Sequence, residues 1–290
     1  MYEQHYHFTE KPFGMTPDRK YLFAGASYAD ALATLHGALA DRLCFAAVTG
    51  DVGTGKTTLC RALADQGDRK TLTALLLNPP VSEEELLAQI LASLGLLSRE
   101  HEQSAMATRA ALAHALQDFL QSLVALGATA LLIIDEAQHL PRQVLDHVRM
   151  LSNLAVNGRP MLQVVLVGQP SLIEVLGAPE LKELDERLAV RCQLDALSPD
   201  ETASYVLHRL AVADTTRTVT FTAEACALVY RYSLGVPRVV NLICHRALMA
   251  GFSAKVTTID AAVVTSAVEG LELTPPAPTR RSWFGRFKHG

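Results

Sequence analysis

The stretch "GDVGTGKTT", Gly50 to Thr58, stands between an apolar run, "CFAAVT" (44–49), and a helix-like run, "LCRALADQ" (59–66). Its spacing, Gly50-x-x-x-x-Gly55-Lys56-Thr57, is that of a phosphate-binding loop. The glycines let the backbone curl so that successive N–H groups, through Asp51, Val52, Gly53 and Thr54, can point at phosphate oxygens. Lys56 suits the β- and γ-phosphates, and the hydroxyl of Thr57, followed by Thr58, suits a Mg²⁺ ion. A buried-type strand before the loop and a helix after it are what this mechanism needs, so the loop reads as a site for ATP with Mg²⁺. On this reading Lys56 faces solvent until a nucleotide arrives.

Binding alone does not imply hydrolysis. The stretch "LLIIDEAQHL" (131–140) supplies the rest, because four apolar residues deliver Asp135 and Glu136 at the carboxyl end of a buried strand. Asp135 is suited to holding Mg²⁺ through its water shell, and Glu136 to orienting and activating the attacking water. Three further candidates follow. Asn78 ends the second strand, where its amide could bond Glu136 or simply satisfy the turn before Pro79 and Pro80. Gln169, in "VVLVGQP", follows the fourth strand and could reach the γ-phosphate or the water. Arg187 and Arg191, in "ELDERLAVRCQL", lie four apart and share a face if a helix persists that far.

Outward from these motifs, strand-like runs at 43–49, 71–77, 129–134 and 162–167, with a shorter one near 191–195, alternate with helical patterns at 56–66, 82–94, 106–126 and 141–154. That alternation, with unbroken apolar strands, implies an α/β fold: a parallel sheet with helices on both faces. After Ser198 the strands stop. "SPDETASYVLHRLAVA" opens with a Ser198–Glu201 capping box, and helical patterns continue over 222–234, 237–252 and 258–269. The expected organisation is an N-terminal segment (1–42) contributing to the nucleotide pocket, an α/β domain (43–197), a helical lid (198–272), and a Pro-rich linker with a basic–aromatic tail (273–290).

Composition bounds the rest. In 290 residues the hydrophobic fraction is 49% and the mean hydropathy is +0.18, but Ala and Leu dominate and most of this is helical packing surface. No apolar run reaches the ~18 residues that span a bilayer. A net charge of −4 argues against a generally basic nucleic-acid binder. Five scattered cysteines without a CxxC pair read as reduced core thiols.

Taken together these residues resemble the AAA+ ATPases, and among them the ExeA/GspA-like family of secretion and pilus-assembly ATPases. The resemblance runs from about Tyr2 to about 269 and rests on "HFTEKPFGMTPDRKYLF", "GDVGTGKTTLCRAL", "LLIIDEAQHL", "LSNL", "LVGQP" and "GVPRVVNLICHRAL". It implies that Gln169 is the sensor-1 residue, Asn78 the glutamate switch, and Arg238 the sensor-2 arginine reaching the γ-phosphate from the lid. It makes Arg187, with Arg191 second, the arginine finger that enters a neighbouring subunit's site, so that the protein works as a homo-oligomeric ring or filament. Pro12, Phe13 and Tyr21 would pack near the adenine or serve as plain core.

Larger members of that family continue into a transmembrane helix and a periplasmic peptidoglycan-binding domain, neither of which these 290 residues carry. The expected relative is therefore cytoplasmic, peripheral to the inner membrane at most, such as the ATPase of a mannose-sensitive-type pilus or of a polysaccharide-export locus, with envelope assembly proteins as partners. The tail "RRSWFGRFKHG" (280–290) combines Arg280, Arg281, Arg286 and Lys288 with Trp283, Phe284 and Phe287, which suits an anionic membrane surface, nucleic acid or an acidic partner groove, the alternative being an end without function. The competing reading is a TniB-type AAA+ regulator of transposition that binds DNA with ATP, which the acids Glu83, Glu84 and Glu85 on the helix after the second strand weaken without excluding. A nucleotide-gated switch without turnover is disfavoured by the intact Asp135–Glu136 pair.

Overall fold

Strands as uniformly apolar as 129–134 must be covered on both faces, and the computed structural model, which describes residues 2–16, 18–65, 70–97, 108–156, 158–213, 218–271 and 273, shows by what. The chain divides into two compact units, one made of 16–196 and the other of the described residues of 1–15 and 197–290.

In the first unit five strands form one parallel sheet: β1 (Phe45–Gly50), β2 (Thr71–Leu76), β3 (Thr129–Ile134), β4 (Leu162–Gly168) and β5 (Leu188–Leu194), in the order β2-β3-β4-β1-β5. Period-two alternation sorts their side chains. Ala46, Val48, Leu131, Ile133, Val165 and Val167 pack with α1 (Ala26–Ala40) and α2 (Lys56–Asp65). Phe45, Ala47, Leu132, Ile134, Val164 and Leu166 pack on the other face with α3 (Glu83–Ser93), α4 (Arg109–Ala125) and α5 (Arg142–Ser152). A short helix, α6 (Ser171–Leu176), follows β4. The one polar side chain buried within β4, Gln163, donates to the carbonyls of Leu39 and Leu43 at 3.2 and 3.1 Å and so braces the turn into β1.

Two differences from the sequence reading matter. Helix α1 lies inside the segment 1–42 and was not read as a helix, because its small residues (Ala-rich, with Gly37) give a weak apolar stripe. The helix before Arg187 does not persist. A single turn, Lys182–Asp185, ends there and β5 begins at Leu188, so Arg187 precedes the strand and Arg191 lies within it.

The helical unit contains α7 (Pro199–Ala213), α8 (Ala223–Ser233), α9 (Pro237–Ala254) and α10 (Ala261–Glu269). The Ser198–Glu201 capping box forms as read: Ser198 N–H donates to Glu201 Oε2 at 2.8 Å and Glu201 N–H to Ser198 Oγ at 3.2 Å. Residues 2–15 pack into this unit. Phe13 is buried with its ring 6.1 Å from that of Phe221, which makes it core of the helical unit. The guanidinium of Arg209, itself buried, donates to the carbonyls of Pro12 (2.6 Å) and Gly14 (3.3 Å) and to the Tyr205 hydroxyl (2.8 Å). Tyr21, by contrast, belongs to the sheet-containing unit, where it is also buried.

Gly235 shows why "GVPR" begins as it does. Its φ is +76°, and a Cβ there would lie 1.8 Å from the Leu197 carbonyl oxygen, whose own N–H donates to Gly235 O at 2.9 Å. Gly235→Ala combines left-handed strain with a backbone clash, and is expected to destabilise the helical unit by about 2 kcal/mol or more, read by thermal unfolding. An unchanged transition would mean that the turn yields at no cost. Pro237 and Arg238 then occupy the first turn of α9. All five cysteines are free, with Cys60, Cys226 and Cys244 buried and Cys44 and Cys192 half-buried, and the tail 280–290 lies outside the described residues.

Candidate functional site

The strand order puts the chemistry together. The chain leaves β1 for β2 at the far edge of the sheet, so the carboxyl ends of β1, β4 and β3 stand side by side, where open α/β sheets bind ligands. In register, Thr49 faces Gly168, and Leu166 faces Ile134. The loop Gly50–Gly55 therefore opens beside Gly168–Gln169 and one strand away from Asp135–Glu136.

The loop itself has the curl that the motif requires. Gly53 and Gly55 take φ of +86° and +106°, a region that side chains rarely adopt. Thr54 closes the turn, its hydroxyl donating to Asp51 O at 2.9 Å. Val52 is exposed at the tip, and Thr58 sits half-buried one residue into the α2 face. Thr58 also lines a cavity of about 190 Å³ with Asp18, Arg19, Leu22 and Arg61. Lys56 departs from expectation. It is only 5% exposed, and its ammonium donates to the carbonyls of Gly50 (2.8 Å) and Asp51 (2.9 Å). The loop wraps the lysine and takes two of its three N–H donors, so the charge is held at the concave side of the loop and does not reach into solvent.

Asp135 is 2% exposed at the end of β3. Its Oδ2 accepts from the Thr57 hydroxyl at 2.5 Å and its Oδ1 from the Glu136 N–H at 2.9 Å. Two hard oxygens in contact, one of them an acid and the other a hydroxyl at the start of a helix, fit Mg²⁺, which takes one or two such protein oxygens and completes its shell with phosphate and water. Cys60, buried one turn into α2, has its thiol pushed well above the ordinary value, first by burial and then by the negative charge of Asp135. It stays neutral there.

Glu136 takes φ +53°, uncommon for a residue with a side chain, and is only half-buried. Its Oε2 accepts from Gln138 Nε2 at 2.6 Å and, at a long 3.5 Å, from Gln169 Nε2. Gln169 is therefore beside Glu136, as its position after β4 implies. Asn78 is exposed beyond the end of β2, and among the described residues no hydrogen bond joins it to Glu136. The side chain that hydrogen-bonds Glu136 at short range is that of Gln138, which the sequence reading did not single out. The available signal was its place in "DEAQ", two residues after the glutamate and on the same turn.

The two arginines are separated by their partners. Arg191 Nη2 donates to Asp185 Oδ1 at 2.6 Å, an ion pair that explains its place on the edge strand. Arg187 is exposed and donates to the neutral Ser152 hydroxyl at 3.3 Å. It stands at the amino end of β5, where Leu188 is level with Phe45, whereas the phosphate loop follows the carboxyl end of β1 at Gly50. A strand of this length puts roughly 15–20 Å between them. Arg238 lies in the helical unit, in the first turn of α9. Glu83, Glu84 and Glu85 form the first turn of α3, which favours acids. Glu83 also pairs with Arg109 at 2.7 Å. Their presence is thus accounted for locally and does not speak to DNA.

With this geometry in place, the comparisons with known proteins are informative. Residues 43–176 match the family model described as "AAA domain". The chain is 39% identical over 253 residues to General secretion pathway protein A of Aeromonas hydrophila, a match that covers 87% of this chain and 45% of that protein, so the chain spans under half of its relative. Solved structures share the fold at low identity. The ORC2 protein of Aeropyrum pernix, in ADPNP–ADP complexes, superposes with a TM-score of 0.69 at 16% identity, covering 91% of this chain and 72% of that one. Cdc6p of Pyrobaculum aerophilum gives 0.68 at 16%, covering 91% and 71%. No described helix is long and apolar enough to cross a membrane. With its phosphate loop, its acidic pair and its 2-3-4-1-5 sheet, the chain has the AAA+ P-loop fold, and over 87% of its length it is similar in sequence to a protein of the ExeA/GspA type.

Proposed function

We propose that this protein hydrolyses ATP to ADP and phosphate with Mg²⁺, as an oligomer whose sites are completed between subunits, and that it spends that energy on assembling or remodelling a bacterial envelope machine for secretion, pilus formation or polysaccharide export. The observation that carries the ATPase reading is the contact of Thr57 with Asp135, with Glu136 next to it at the strand end. The bound metal would supply charge neutralisation on the β- and γ-phosphates. Thr57 and Asp135 would hold it, and Lys56 would fix the same phosphates from the other side. Glu136 would accept the proton of the attacking water, and Gln169 would orient that water or the phosphate. Arg238 would serve as the sensor-2 arginine that the family resemblance implies. The name of the Aeromonas relative supports the envelope assignment.

The experiment that tests binding is Lys56→Ala. Loss of an ammonium that would make charge-assisted contacts to phosphate should weaken ATP binding by about 10²-fold, measured by titration with a fluorescent nucleotide. Wild-type affinity in the variant would remove the loop from the site.

A further inference from the structure

We propose that Gln138 is a positioning residue for Glu136, an inference that rests on the ATPase reading of this site. One side chain spans two strand ends. Its amide N–H donates to Glu136 Oε2 at 2.6 Å, and its amide oxygen accepts the Gln169 backbone N–H at 3.0 Å. The carboxylate that activates water is thereby tied to the turn that follows β4. Among the described residues the glutamate has little else to fix it: it leaves the strand in a left-handed conformation, half-exposed, and its other side-chain hydrogen bond there is the 3.5 Å approach of Gln169.

Space for this bridge is made by Gly168. A Cβ there would lie 2.5 Å from Gln138 Oε1, so the glycine at the end of β4 leaves the amide room to lie against the strand. "DEAQ" and "LVGQP" are in this sense one device: the glycine admits the glutamine, the glutamine holds the glutamate, and the Gln169 backbone sets the distance between them. A bond from a neutral amide to a carboxylate is short and directional, so it fixes the carboxylate's rotation as well as its place. A base misplaced by about 1 Å loses about 10²-fold in rate.

The test is steady-state phosphate release by the full-length chain carrying Gln138→Met, which keeps length and volume but neither polar end, with nucleotide affinity measured on the same samples. The expected result is a fall in kcat of about 10–10²-fold with KM and ATP affinity within about twofold of wild type. Gln138→Glu, which keeps the acceptor for Gln169 N–H but loses the donor to Glu136, should show the same loss. In a Glu136→Gln background, Gln138→Met should change the residual rate by less than about twofold, because a residue that acts through Glu136 has nothing left to position. A wild-type kcat in Gln138→Met, a wild-type kcat in Gln138→Glu, a rise in KM matching the fall in kcat, or losses that multiply in the double variant would each overturn the assignment. A wild-type chain without turnover, or a Glu136→Gln variant that turns over normally, would instead bring down the ATPase reading itself and Gln138 with it.

Discussion

Arg187→Ala should bind ATP as wild type does and lose about 10³–10⁵-fold of its oligomer-dependent turnover, the amount that an arginine supplied in trans contributes to phosphoryl transfer. The physical need is for positive charge on the far side of the γ-phosphate, where transition-state charge spreads over oxygens that Lys56 and the metal do not cover. Arg187 cannot meet that need in its own subunit, since it stands at the opposite end of β5 from the phosphate loop. It is exposed and held by one neutral hydroxyl, whereas Arg191 is committed to Asp185. Turnover per subunit should accordingly rise with protein concentration. Mixing Arg187→Ala with Lys56→Ala should restore part of the activity, because a mixed interface can pair an intact loop with an intact arginine. A specific activity that is flat with concentration, and no rescue on mixing, would make Arg187 an ordinary surface residue.

Glu136→Gln should bind ATP near normally and turn over about 10²–10⁴-fold more slowly, the usual loss on removing a general base. The substitution is nearly isosteric, and it leaves the oxygens of Asp135 and Thr57 in place, so the metal site and the loop should survive it. The nucleotide recovered from the variant after incubation with Mg²⁺ and ATP should be ATP, while the wild type yields ADP. Recovery of ADP from both would place the base elsewhere.

What could be read from the sequence, and what could not, follows from how local each signal is. β3 was placed to the residue because five consecutive apolar residues, Ala130 to Ile134, all buried, end at two acids. β5 was placed late, near 191–195, because an edge strand is only half-buried and its alternation of Leu188, Val190 and Cys192 with Arg191 looks like the end of a helix. Helix α1 was missed for want of a cap, since Gly25 precedes it without one, and because alanines and Gly37 dilute the stripe formed by Tyr28, Leu32, Leu35 and Leu39. The phosphate loop and the Asp135–Glu136 pair are contiguous motifs, so their residues could be named. The Thr57–Asp135 contact joins positions 78 apart, and the meeting of Gln138 with Gly168 and Gln169 depends on β3 and β4 being neighbours in the sheet. The burial of Lys56 is likewise a matter of where two loop carbonyls point, which spacing does not encode.

The claim on which the rest depends is that this chain hydrolyses ATP at the site framed by Thr57, Asp135 and Glu136. Phosphate release by the purified full-length protein at saturating ATP, with excess Mg²⁺ and again with the metal chelated, alongside Glu136→Gln at the same bound-nucleotide occupancy, measures it most directly. The expected result is turnover by the wild type that requires the metal and falls by about 10²–10⁴-fold in the variant. Equal rates for wild type and variant, or none from a wild type shown to bind MgATP, would contradict it.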